Sequence, residues 1–157
     1  MRKKLYLAII ERLKGLTGEN GTPTIKHFDL WNQNVEFIEE EAIWERPAVF
    51  IEFAPIQWHN LQKGIQTADV TFILHVITDW SGGSEDGSAY QENTLAVFDL
   101  LDTIHKQLNR LNRQYADNSG FRNTLRVSSA TNHNHEEIRE DIETYTVSIT
   151  DVSGEII

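Results

Sequence analysis

Two imidazoles and two carboxylates fall within five residues in the run His133-Asn-His-Glu-Glu137, and every one of these side chains can ligate a divalent metal. On a strand, His133 and His135 would face the same side. Together with Glu136 they would then form the nucleus of a metal-dependent hydrolase or nuclease. A closed metal site also needs further ligands and groups that orient them, and the sequence specifies neither. The preferred reading of the segment is therefore a solvated hairpin connection, with no metal or cofactor expected. The letters His-Asn-His do not by themselves make a nuclease of that name, because such enzymes spread their catalytic residues over a longer ββα unit.

The remaining reactive side chains are scattered. His75 lies inside an alternating strand pattern, where a histidine at a partly covered surface is a simpler reading than a general base. His27, His59 and His105 have no partners legible in the sequence. The glycines of Ser81 to Ser88 lack the lysine and the strand-to-helix context of a phosphate-binding loop. No serine sits in a G-x-S-x-G elbow. With no cysteine anywhere, the chain offers neither disulfide, thiolate ligand nor thiol nucleophile. The expectation is a protein that is not an enzyme. Trp31, Trp44, Trp58 and Trp80 are large flat surfaces divided evenly between core and subunit contacts, with ligand stacking a minor alternative.

A chain of 157 residues fits one domain, 1–157, with a single core. Its net charge of −10 repels phosphate, so specific nucleic-acid binding is not expected. Acidic residues lining a channel would instead let DNA slide past. The apolar run after the basic start, Leu5 to Ile10, is too short for a signal peptide or a membrane span, and no membrane partner is expected.

These residues need elements to position them. Leu5, Ile9, Leu13 and Leu16 recur at helical spacing and predict a helix over 3–16. A short strand is expected between Ile25 and Trp31, whereas the acidic run Glu39 to Glu41 has no assigned role. Ala48 to Ala54, between Pro47 and Pro55, is dense in branched and aromatic residues and reads as a strand. In the strand over 64–78, Ala68, Val70, Phe72, Leu74 and Val76 share one face. Ile73 and Ile77 interrupt the polar pattern of the other, which predicts cover from another element or subunit. Val97, Leu101, Ile104, Leu108 and Leu111 predict a long helix over 90–111, its stripe widened by Phe98 and Leu100. Segments 121–130 and 138–152 complete a strand pair, the second with Tyr145, Val147 and Ile149 inward. The expected fold is α+β, a mostly antiparallel sheet of four to five strands covered by the long helix and the N-terminal helix.

The stretches 30–35 (LWNQNV), 46–53 (RPAVFIEF) and 64–75 (GIQTADVTFILH) resemble the tail-terminator and head-tail connector proteins of phages and prophages. The resemblance covers residues 25–79 by motif, and the later helix and strand pair agree with the family's element order. It implies a structural α+β subunit that assembles with copies of itself into a ring, commonly a hexamer, in the virion tail or neck after assembly in the host cytoplasm. Tail-tube or neck proteins would be its partners, and DNA would pass through the ring. It also implies subunit contacts at Ile73, Ile77 and the edge of the Ala48 to Ala54 strand, including Phe50, with Trp58 and Trp80 as further anchors. The Ser81 to Ser88 loop would order when the tube or connector docks.

Overall fold

The computed structural model describes residues 1–32, 44–80, 82–133 and 137–156. In chain order the elements are α1 (Arg2–Lys14), β1 (His27–Leu30), β2 (Ala48–Phe53), β3 (His59–Asn60), β4 (Gln66–Asp79), α2 (Gln91–Leu108), β5 (Arg113–Gln114), β6 (Gly120–Asn132) and β7 (Ile138–Asp151). The sheet runs β1-β2-β4-β7-β6-β5, with β3 beside the start of β4. Among the described residues only β1 and β2 pair in parallel; the other ladders are antiparallel. The α+β class therefore stands, but the sheet has seven described strands rather than four to five. The additional strands are the two-residue β3 and β5, too short to leave a periodic signature.

Periodicity locates the main core. On α1, Leu5, Ile9 and Leu13 are buried, as are Val97, Leu101, Ile104 and Leu108 on α2. Both helices pack on one face of the sheet, against Val49 and Ile51 of β2, Val70, Phe72 and Leu74 of β4, and Tyr145 and Val147 of β7. Phe72 and Tyr145 are paired across the ladder and stack with ring centroids 5.2 Å apart. The stripe of α2 continues to buried Leu111, although the helix itself stops at Leu108. Arg110, with φ 59, turns the chain there, and its N–H bonds to the Thr124 carbonyl.

The opposite face carries a second apolar cluster of Ala48, Phe50, Ile77 and Ile138, with Trp31 and Trp44 packed against it. The chain itself therefore covers Ile77. Phe50 and Ile77 are fully buried within the subunit, which corrects their assignment as subunit contacts. β2 is likewise not an edge strand: β1 and β4 flank it on either side.

At the start of β4, Gly64 adopts φ +80, and a Cβ there would lie 2.1 Å from the Gly154 carbonyl oxygen. The chain after β7 returns to this turn, with the Ile156 N–H bonded to the Lys63 carbonyl at 2.8 Å. Gly64→Ala combines a left-handed backbone with a backbone clash, so it is expected to cost about 1–3 kcal/mol. Urea unfolding measures this, and an unchanged midpoint would refute the close approach.

Candidate functional site

The densest polar constellation lies on the sheet face away from the helices. His75 of β4 is buried, and both ring nitrogens meet carboxylates: Nε2 lies 2.7 Å from Glu52 Oε2 on β2, and Nδ1 lies 2.7 Å from Glu140 Oε2 on β7. Each ring nitrogen therefore has a carboxylate oxygen within hydrogen-bond reach. The Trp31 indole stacks on the imidazole with centroids 3.7 Å apart and planes 5° apart, which covers one face of the ring. Glu140 is buried and also accepts from Asn132 Nδ2 at 2.7 Å, which ties β6 to the same group. One side chain thus links β2, β4, β7 and, through Glu140, β6.

The chemistry open to this cluster is limited by its saturation. A general base needs a free lone pair directed at a substrate proton. Here both imidazole nitrogens are engaged and the ring face is covered. The two carboxylates sit at opposite ends of the ring, so they do not converge on a common ion position. The geometry is that of a junction between strands.

A second polar row lies beneath α2. Asp141 and Glu143 are buried on the helix-facing side of β7. Arg139 donates to both Asp141 oxygens, at 2.8 and 3.2 Å, and Thr131 donates to the same residue. Glu143 accepts from Ser129 at 2.6 Å, with the Arg126 guanidinium 3.6 Å away. These pairs compensate the desolvation of two carboxylates in a largely apolar layer. Next along the strand, burial holds the Tyr145 phenol well above its ordinary pKa, reinforced by the Glu143 charge. At the far end of the sheet, hydrogen bonds from Lys4 and then from Ser119 hold Asp117 far below the usual carboxylate range.

One concavity has the opposite charge. Arg110, Arg113 and Arg122, with Asn112, Gln114 and Asn123, surround a shallow space of about 670 Å³ beside β5 and β6 that no carboxylate side chain lines. Arg113 pairs with Glu11 at 2.9 Å, whereas Arg110 and Arg122 form no ion pair among the described residues. In a chain of net charge −10, this is a locally cationic rim suited to an anionic surface.

His133 is exposed, while His135 and Glu136 lie outside the described residues, as does the Glu39 to Glu41 run. Among the described residues, no group of three or more His, Asp or Glu is placed to hold a metal ion. Ile73 is partly buried, whereas Trp58 and Trp80 are exposed. His27 stacks on Trp44, and His105 Nδ1 lies 3.5 Å from the Tyr145 hydroxyl. Sequence reasoning missed Glu52, Glu140, Asp141 and Glu143. The available signal was the charge of Glu140, Asp141 and Glu143 at the start of a strand whose later residues alternate cleanly. No helix among the described residues is long and apolar enough to cross a membrane. No protein-family model matches the chain, and a search of curated proteins finds no match.

Proposed function

We propose that the chain is a structural subunit of a phage or prophage tail, a tail terminator or head-tail joining protein that assembles with its own copies into a ring. The observation that carries this reading is the form of the sheet. Among the described residues its path ends in two strands, β1 and β6 with its short companion β5, and beyond Phe121 no described strand pairs the outer side of β6. An unpaired edge presents rows of N–H and C=O groups that template addition of another strand. Leu125 and Val127 on β6 add exposed apolar surface at the same edge. Conversely, Glu52, His75 and Glu140 of the central strands are engaged in pairing those strands to one another.

Function would then reside in surfaces rather than in a reactive centre. A ring is a heterologous assembly in which one patch meets a different patch on the next copy and rotation closes the circle. The cationic rim around Arg110 and Arg122 and the exposed Trp58 and Trp80 are available for neighbours or for tail-tube and neck proteins. The subunit would act in the virion tail or neck, with DNA passing through the ring, after assembly in the host cytoplasm.

Light scattering and sedimentation from low to several hundred micromolar test this proposal, alone and with a tail-tube protein. The expected result is a closed oligomer of defined mass. A monomer under all of these conditions would overturn it.

A further inference from the structure

Among the described strands, β1 and the last four residues of β6 occupy the same four rows of the sheet. Following the ladder pairs across, Asp29 of β1 is in line with Phe50, His75 and Ile142, and ends on Ala130 of β6. The neighbouring rows run in the same way from His27 to Asn132, from Phe28 to Thr131, and from Leu30 to Ser129. All four residues of β1 therefore have a counterpart at the opposite edge, at the same height along the strands.

Direction agrees with height. β1 is parallel to β2, and each step from β2 to β4, β7 and β6 reverses direction, so β6 runs antiparallel to β1. A copy generated by rotation about an axis along the strands keeps its strand directions. Its β1 would thus meet β6 of the first copy antiparallel, continuing the alternation of the sheet. Joining matched rows also displaces neighbouring copies by nothing along that axis, and an assembly without rise closes into a ring instead of climbing into a filament.

The local structure of β6 favours the same segment. Its pairing with β7 is irregular between Arg122 and Leu125 and again between Arg126 and Ser128, but residues 128–132 follow β7 without a break. Bulges blunt an edge, whereas a regular stretch can accept a strand. Asp29, Leu30, Ser129 and Ala130 are exposed. None of the four row pairs would set like charges opposite each other.

We propose that β1 of one copy pairs antiparallel with Ser129 to Asn132 of the next, joining the sheets of neighbouring subunits edge to edge. This rests on the ring reading above and assigns its contact surface. The absence of native cysteine permits a direct test. Residues opposed in an antiparallel pair have Cβ atoms about 4.5–5.5 Å apart, near disulfide range. In Asp29→Cys/Ala130→Cys, mild oxidation is expected to give a ladder of linked species ending at the subunit number of the ring and collapsing with reductant. Neither single variant should cross-link beyond background.

A charge test probes the same contact without oxidation. Ala130→Asp, which faces Asp29 of the neighbour, is expected to abolish assembly, and adding Asp29→Lys is expected to restore it. If the wild-type chain forms a closed oligomer while the double-cysteine variant yields no ladder and Ala130→Asp assembles normally, edge pairing is wrong and the ring reading survives. If the wild-type chain stays monomeric with its tube partner and no ladder forms, both fail.

Discussion

His75→Leu is expected to lower the free energy of unfolding by about 1–3 kcal/mol, the cost of removing one hydrogen-bond partner from a buried carboxylate. The group most affected would be Glu140, which is buried and loses the ring nitrogen 2.7 Å away while keeping the Asn132 amide, whereas the less buried Glu52 can turn to water. The loss is a large share of the roughly 5–15 kcal/mol that keeps an ordinary domain folded. A companion variant separates charge from shape: His75→Leu/Glu140→Leu removes both partners and is expected to recover much of the loss, because an apolar replacement of a buried pair is often nearly neutral. Urea unfolding of the two variants decides the matter. A loss below about 1 kcal/mol for His75→Leu would mean that water or a neighbouring donor readily satisfies Glu140.

Phe50→Ala is expected to destabilise the isolated subunit by about 3–5 kcal/mol, the range for truncating a buried phenylalanine. Its ring is inaccessible and packs against Trp44 and Trp31 at centroid distances of 5.0 and 6.2 Å. Trp80→Ala provides the contrast, since that side chain is 51% exposed. Its expected effect on unfolding is within about 1 kcal/mol, as for most surface changes, leaving any larger effect to assembly. The pair distinguishes a residue of the subunit core from one available to a neighbour. Were Phe50→Ala to weaken association while leaving the unfolding midpoint of the monomer unchanged, the second apolar cluster would not be a core of the chain.

Some of this organisation was legible residue by residue. The stripe of Val97, Leu101, Ile104 and Leu108 faces the sheet as its spacing requires, and the alternation from Ala68 to Val76 identifies the strand face beneath the helices. Period-2 and period-3.6 patterns survive into the fold because each records one element meeting one apolar layer. The same logic failed at Phe50 and Ile77. A pattern reports that a face is covered, and it does not say whether the cover comes from the same chain or another. Here Trp31 and Trp44, outside the strands that they cover, supply part of it.

The sequence by itself determined the α+β class, the two described helices, the long strands and the inward faces of β4 and β7, since these depend on local propensity and on repeats within a few residues. Only the tertiary structure decided that His75 would lie between Glu52 and Glu140, residues 23 and 65 positions away. It also decided that Asp29 and Ala130 would end the same row of the sheet. Such meetings depend on strand order and register, which are fixed by the folded chain as a whole and leave no trace in the spacing of neighbouring residues.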